Sequence, residues 1–344
     1  MTYVPLAASP VDAVAKVTSG RAAGWEVATS GSTGAPRLVR IGADAVRASA
    51  ALTAARLGGE AAWLLALPAD RIGGAMVLAR AALADARVAA MPPGPFTPEG
   101  FAAVAEELVA EPRRHVSLVP TQLRRLLDSP VGREALGAFD AVLVGGAALG
   151  TTEAPANVVR TYGMSETCGG CVYDGAVLPG TDDVPGALAR VDHDGHIRLA
   201  GPTLADGYAD GDDRAFVVED GVRWFVTSDL GEWRDGRLHV LGRADHVINT
   251  GGVKVHPQPV ESALESAPGV VAVAVVGVPD AAWGERVVAV VEGAASPEAL
   301  AAAAAGLPAY ARPRRIVPAQ VPRTPGGKID RAAARSLAAR KEHR

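Results

Sequence analysis

Between residues 27 and 144 the chain alternates short apolar runs with longer stretches of helical spacing. Residues 61–67, 86–91 and 115–119 have the length and apolar character of buried strands. Residues 43–57, 101–109 and 122–127 place apolar side chains on one helical face. A run at 25–28 comes before them, and residues 141–144 and 157–161 extend the series. Such alternation predicts an α/β fold with a largely parallel sheet covered by helices. Pro92, Pro93, Gly94 and Pro95 form a rigid loop, with Thr97 placed to cap the helix after it.

After Tyr162 the texture changes to short β segments and turns, with a hairpin at 191–199 around Asp194 and Gly195 and strands at 222–226 and 237–241. Beyond Asp245 the pattern becomes a glycine-rich turn, a helix opened by Pro257 and Pro259, strands at 270–276 and 286–291, a helix at 297–305 and a strand at 315–317. This predicts a large domain over residues 1–244, with parallel-rich sheets layered with helices plus β segments, and a small α+β domain over 245–344.

Composition narrows the class. The 344 residues are 49% hydrophobic and 21% charged, as in ordinary soluble proteins. A net charge of −4 supplies no basic field for nucleic acid. Residues 1–17 lack a basic segment followed by an apolar one, and no apolar run approaches the ~18 residues of a membrane span. A cytoplasmic protein is expected. Cys168 and Cys171 spell Cys-Gly-Gly-Cys but lack a second ligand pair, so an incidental or structural role is expected. His193 and His196 read as exposed hairpin histidines.

Residues Thr29, Ser30, Gly31, Ser32, Thr33, Gly34, Ala35, Pro36 and Arg37 carry the chemistry first. Four hydroxyls and two glycines suit a loop whose amides and hydroxyls surround phosphate oxygens. It is no Walker loop, because Gly-Lys-Ser/Thr does not follow. It resembles the phosphate loop of the acyl-adenylate-forming ligases, which include acyl-CoA synthetases and peptide-synthetase adenylation domains. Four further stretches follow in that family's order: 162–167, 227–231, 242–255 and 322–331. Alone, Glu166 and Asp229 would read as turn acids and Lys328 as a loop lysine; five ordered stretches reverse that reading.

The resemblance implies ATP, Mg2+ and CoA as co-substrates and cofactor. Thr29 to Gly34 would hold the phosphates, with Arg37 standing where relatives carry lysine. Glu166 would engage magnesium and Ser165 the α-phosphate. Tyr162 would pack on adenine beside Gly163, and Gly145, Gly146 and Ala147 would let the base lie close. Asp229 would bind the ribose hydroxyls, and Arg243 the ribose or phosphates. Lys328 would stabilise the adenylation transition state. A mobile small domain hinged near Asp245 would exchange Lys328 for Thr250, Gly251 and Gly252, which line a path for CoA.

Residues 117–123 and 160–175 narrow the resemblance to the o-succinylbenzoate–CoA ligases of menaquinone synthesis, in their short actinobacterial form. The substrate would be an aryl dicarboxylic acid, with Ser117 and Gln122 near it. Arg71 replaces a frequent histidine and either pairs with the second carboxylate or forms a surface ion pair. A ligase for another aryl or short-chain acid, a carrier-loading enzyme and a non-catalytic nucleotide-binding or acyl-binding relative remain alternatives. Assembly as a homo-oligomer stays open.

Overall fold

The computed structural model describes residues 2–29, 37–147, 154–324 and 329–340. No helix among the described residues is long and apolar enough to cross a membrane. The chain opens with β1 (Tyr3–Pro5), α1 (Pro10–Thr18), β2 (Gly24–Ala28) and β3 (Leu38–Gly42). The strand expected to start the parallel series, β2, instead pairs antiparallel with β3, in a four-stranded sheet completed by β1 and, from further along the chain, Gly207–Tyr208. The cause is the short connection: a parallel crossover needs a dozen or more residues, and residues 29–37 are too few. Trp25 anchors this sheet, buried with its indole N–H donating to Ala13 O at 3.1 Å.

The expected parallel sheet follows. Its elements are α2 (Ala43–Arg56), β4 (Ala62–Leu65), α3 (Ile72–Leu83), β5 (Val88–Ala90), α4 (Pro98–Glu106), β6 (Arg114–Leu118), α5 (Pro120–Leu127), α6 (Pro130–Gly137), β7 (Ala141–Val144) and β8 (Val158–Met164). Strands β5, β4, β6, β7 and β8 lie parallel in that spatial order. Two antiparallel strands, β9 (Gly169–Tyr173) and β10 (Ala176–Val177), close one edge. Leu64, Val116 and Val142 point into a core with Phe101, Leu108 and Leu123 from the helices. Thr97 caps α4 as expected, accepting from Gly100 N at 3.1 Å.

A third sheet is built from β11 (Leu188–Val191), β12 (His196–Ala200), β14 (Phe216–Glu219), β15 (Val222–Arg234) and β16 (Arg237–Arg243), with β13 (Gly207–Tyr208) leaving for the first sheet. The long β15 runs through 227–229, which the sequence pattern places beyond the strand's end; a bulge between Leu230 and Gly231 bends it. The last unit comprises β17 (Ile248–Thr250), β18 (Val253–Val255), α7 (Pro257–Glu265), β19 (Val270–Asp280), β20 (Gly284–Gly293), α8 (Pro297–Ala304), β21 (Arg315–Pro318) and α9 (Arg331–Arg340). Its two core clusters centre on the alternate faces of β19, with Val273 and Val275 on one and Ala274 and Val276 on the other.

Candidate functional site

Strands β7 and β8 deliver their carboxyl ends to one region, the usual place for a ligand in an open parallel sheet. Gly145 and Gly146 follow β7, and Tyr162 and Gly163 end β8 before a single 3-10 turn at Ser165–Thr167. The glycines are demanded by the fold as well as by any ligand. A Cβ at Gly145 would lie 2.5 Å from Thr161 Oγ1, and one at Gly163 only 2.1 Å from Gly169 O. Ala147 is exposed beside them.

The long β15 brings Asp229 to Tyr162. Tyr162 Oη donates to Asp229 Oδ2 at 2.9 Å. Burial first, then the Asp229 charge, raises the Tyr162 phenol well above its ordinary range, so it stays a donor. Thr227 Oγ1, buried, accepts from Asp229 N at 3.0 Å and fixes the strand there. Pairing of β15 with β16 sets Arg243 opposite Asp229. The Arg243 guanidinium forks onto Asp245, with both contacts at 2.9 Å. His196 departs from the exposed-hairpin expectation: it is partly buried, and its Nδ1 lies 3.1 Å from Thr227 O.

Glu166 is 9% exposed and accepts a hydrogen bond from Tyr208 Oη at 2.8 Å. Burial, followed by Glu166, raises the Tyr208 phenol. Arg37 lies flat on the Tyr208 ring, 3.6 Å from its centroid, and grips Asp210 through two contacts at 3.0 and 2.8 Å. Arg37, expected as a loop cation toward phosphates, is engaged here by a carboxylate. Its planar fork matches a carboxylate, and Asp210 takes it. Arg37 in turn holds the Asp210 carboxyl below the usual range. Tyr208 and Asp210 had no local signal in the sequence, because they meet Arg37 and Glu166 only through the pairing of β13 with β3.

The two ends of the expected phosphate loop bond each other: Thr29 N donates to Arg37 O at 2.8 Å, and Arg37 N to Thr29 Oγ1 at 3.1 Å. Ser30, Gly31, Ser32, Thr33 and Gly34 lie outside the described residues, as does Lys328. The flanks of Lys328 are tied by an antiparallel bridge between Arg323 and Ile329 and by Asp330 N donating to Pro322 O at 2.9 Å.

The acid-facing candidates separate. Arg71 precedes α3, half exposed, 3.5 Å from Ala28 O and 3.6 Å from Asp70, which sets it beside the foot of the phosphate loop. Gln122, expected near the substrate acid, makes two hydrogen bonds within the fold. Its Oε1 accepts from Val119 N at 3.0 Å and its Nε2 donates to Ala66 O at 2.9 Å, tying α5 to the end of β4. Ser117 is buried within β6. In the last unit Thr250 is buried, Gly251 has a left-handed φ of 58° and packs on the Trp283 ring, and a Cβ at Gly252 would meet nothing within 4 Å.

Cys168 and Cys171 are free and buried, and burial pushes both thiols up to about 12, which suits inert packing residues. Asp192, His193 and Asp194 bring ligand atoms within 4.8 Å of one another, but Asp192 is committed to Arg198 at 2.9 Å.

Comparison with known proteins agrees with this geometry. The model of the AMP-binding enzyme family matches residues 28–209, and that of the AMP-binding enzyme C-terminal domain matches 259–328. The probable 2-succinylbenzoate–CoA ligase of Mycobacterium tuberculosis (strain ATCC 25618 / H37Rv) is 42% identical over 332 residues, covering 89% of this chain and 82% of its own. The 2-succinylbenzoate–CoA ligase of Salmonella typhimurium is 34% identical over 299 residues, covering 81% and 62%. Among solved structures, o-succinylbenzoate CoA synthetase of Bacillus subtilis in complex with its acyl-adenylate intermediate superposes with a TM-score of 0.76 at 25% identity, covering 90% and 68%.

Proposed function

The chain belongs to the family of AMP-binding enzymes, and from that premise we propose that it is a 2-succinylbenzoate–CoA ligase of menaquinone biosynthesis. It joins 2-succinylbenzoate to AMP with release of pyrophosphate, then transfers the acyl group from the adenylate to the thiol of CoA. The observation that carries this reading is the junction of Tyr162 and Asp229, 2.9 Å apart where two sheets meet. A partly buried ring with a carboxylate at its edge can hold an adenosine, the ring against the base and the carboxylate toward the ribose diol.

Both reactants of the first step are anions, so donors and cations must gather at the phosphates. Thr29 to Gly34 supply backbone and hydroxyl donors, Ser165 a hydroxyl to the α-phosphate, and Lys328 the mobile charge for the reacting carboxylate. Glu166, a carboxylate with a fixed orientation through Tyr208, has the oxygen chemistry a hard divalent ion prefers. When bound there with ATP, magnesium supplies charge neutralisation across the phosphates. Arg243 sits one strand from Asp229 and serves the ribose side once released from Asp245. Residues 1–244 form the adenylating domain and 245–344 the domain that rotates about Asp245, which would bring Thr250, Gly251 and Gly252 to the path of the pantetheine arm.

The test is ATP–pyrophosphate exchange across a panel of acids, with 2-succinylbenzoate and benzoate side by side. Exchange with 2-succinylbenzoate at least tenfold above every other acid is expected. Preference for a different acid reassigns the substrate, and exchange with none makes the chain a binding relative.

A further inference from the structure

At the opposite, amino-terminal end of the parallel strands lies a cavity of about 170 Å³ between α2, α3 and the leading ends of β4 and β6. It is close in size to an engineered cavity that holds benzene. Ala50 and Ala54 of α2 and Leu83 of α3 give it apolar walls, with Trp63 at the back. Two polar side chains break that lining. Arg80 is 8% exposed and His115 1% exposed, and Arg80 Nε and His115 Nε2 are buried with no hydrogen-bond partner. Buried polar atoms in native structures almost always have partners, so two orphans on side chains that line one cavity mark polar groups the chain itself leaves unpaired.

The surroundings define its chemistry. Arg80 forms no ion pair among the described residues, and its guanidinium lies over the face of Trp63, 5.3 Å away. His115 stands edge-on to the same indole at 5.2 Å. Burial, helped by Arg113 and Arg80 and opposed by Asp140, holds its imidazole down to about 4. At neutral pH the ring is uncharged and can offer one N–H. Glu60, on the cavity wall, is exposed, and Arg47 is already bound to Asp44 at 2.6 Å. We propose that this cavity is a second binding site, separate from the adenylation site, for a small aryl carboxylate. The carboxylate would be taken by the Arg80 fork, with the uncharged His115 behind it, and the ring would lie among Ala50, Ala54, Leu83 and Trp63. A bare inorganic anion would leave those apolar walls unfilled. The site also shares a helix with the catalytic region: α2 donates from Ser49 Oγ to Cys168 O at 3.0 Å, next to the turn carrying Glu166, and pairs Thr53 with Tyr173 Oη at 3.0 Å, at the far end of β9.

The experiment is 19F NMR titration of 4-fluorobenzoate into the full chain, with the adenylation site filled by a sulfamate analogue of the o-succinylbenzoyl adenylate. Saturable binding should persist with that site filled. Arg80→Met should weaken it at least tenfold, and 4-fluorobenzyl alcohol, which lacks the charge, should bind at least tenfold more weakly. Ala54→Phe should abolish binding by filling the cavity without touching Arg80 or His115, and it decides the matter should Arg80→Met fail to fold. Displacement by the analogue, binding unchanged in Ala54→Phe, or equal binding of the alcohol would overturn the proposal. Competition by inorganic phosphate with affinity equal to 4-fluorobenzoate would likewise overturn it, leaving a simple anion site.

Discussion

The carboxylate of Glu166 and the hydroxyl of Tyr208 meet at 2.8 Å in a part of the molecule from which water is largely excluded. A donor to a carboxylate fixes its orientation, so Tyr208→Phe should loosen Glu166 where the proposed reaction needs it held. A hydrogen bond to a charged group is worth ~1.5 kcal/mol, about tenfold in rate. ATP–pyrophosphate exchange should therefore fall by about that factor, and an unchanged rate would show that Tyr208 only packs. His115 gives a second prediction, read in stability. Its folded value of about 4 lies below the ordinary 6.5, so the unfolded chain takes up the proton first as pH falls. Stability present above pH 6.5 is lost on the way to pH 4, about 2.5 kcal/mol by pH 4.5. Denaturant unfolding at pH 7 and 4.5 should show that loss, and His115→Phe should remove most of it.

Three elements of the last unit are held by one ion pair. Glu261 of α7 grips Arg331 of α9 through contacts of 2.5 and 2.9 Å, and the pair bonds Val275 of β19 through its N–H at 2.8 Å and its carbonyl at 3.0 Å. Glu261→Ala leaves a mostly buried arginine without its partner, which costs about 3 kcal/mol. Hydrogen exchange should show protection lost in α9 and α7 while β6 and β7 keep theirs, and Glu261→Leu with Arg331→Met should restore much of it. Elements with strong periodicity were legible in the sequence: residues 43–57 became α2 and 141–144 became β7 with almost the same bounds. Where one periodicity gave no contrast, the reading failed. Most of α3 is buried, including Ala75, Met76, Val77 and Ala79, so it shows little polar face, and two glycines at its start read as loop. Strand β2 was legible as a strand, but its sheet was not, because that sheet is completed by β13, which returns to β3 from more than 150 residues away. In the site, Tyr162 beside Asp229 was recoverable from ordered motifs. The Arg37–Asp210 fork was not, because it depends on a turn whose acids look like ordinary surface charge.

At the scale of the whole molecule, the two units touch through side chains that the proposed rotation would have to release. Arg124 of α5 donates to Val271 O and lies 3.7 Å from Glu265, and Asp245 binds the Arg243 that ends β16. Asp245 lies in a 3-10 turn at Ala244–His246, where a φ near about −65° fits the backbone. Asp245→Pro should therefore be tolerated in the present arrangement while opposing any other. Removing its carboxylate also frees Arg243, so Asp245→Asn is needed to separate charge from rigidity. Under the proposed two-step reaction, adenylation and thioester formation from pre-made adenylate require different placements of the small domain. The proline variant should retain one half-reaction within about threefold of Asp245→Asn and lose at least about tenfold in the other, ~1.4 kcal/mol or more of selective barrier. If both half-reactions survive equally, the pivot lies elsewhere between β16 and β17. If both fail equally and Asp245→Asn fails with them, the fork between Arg243 and Asp245 holds the site together and backbone rotation at this residue is not what limits turnover.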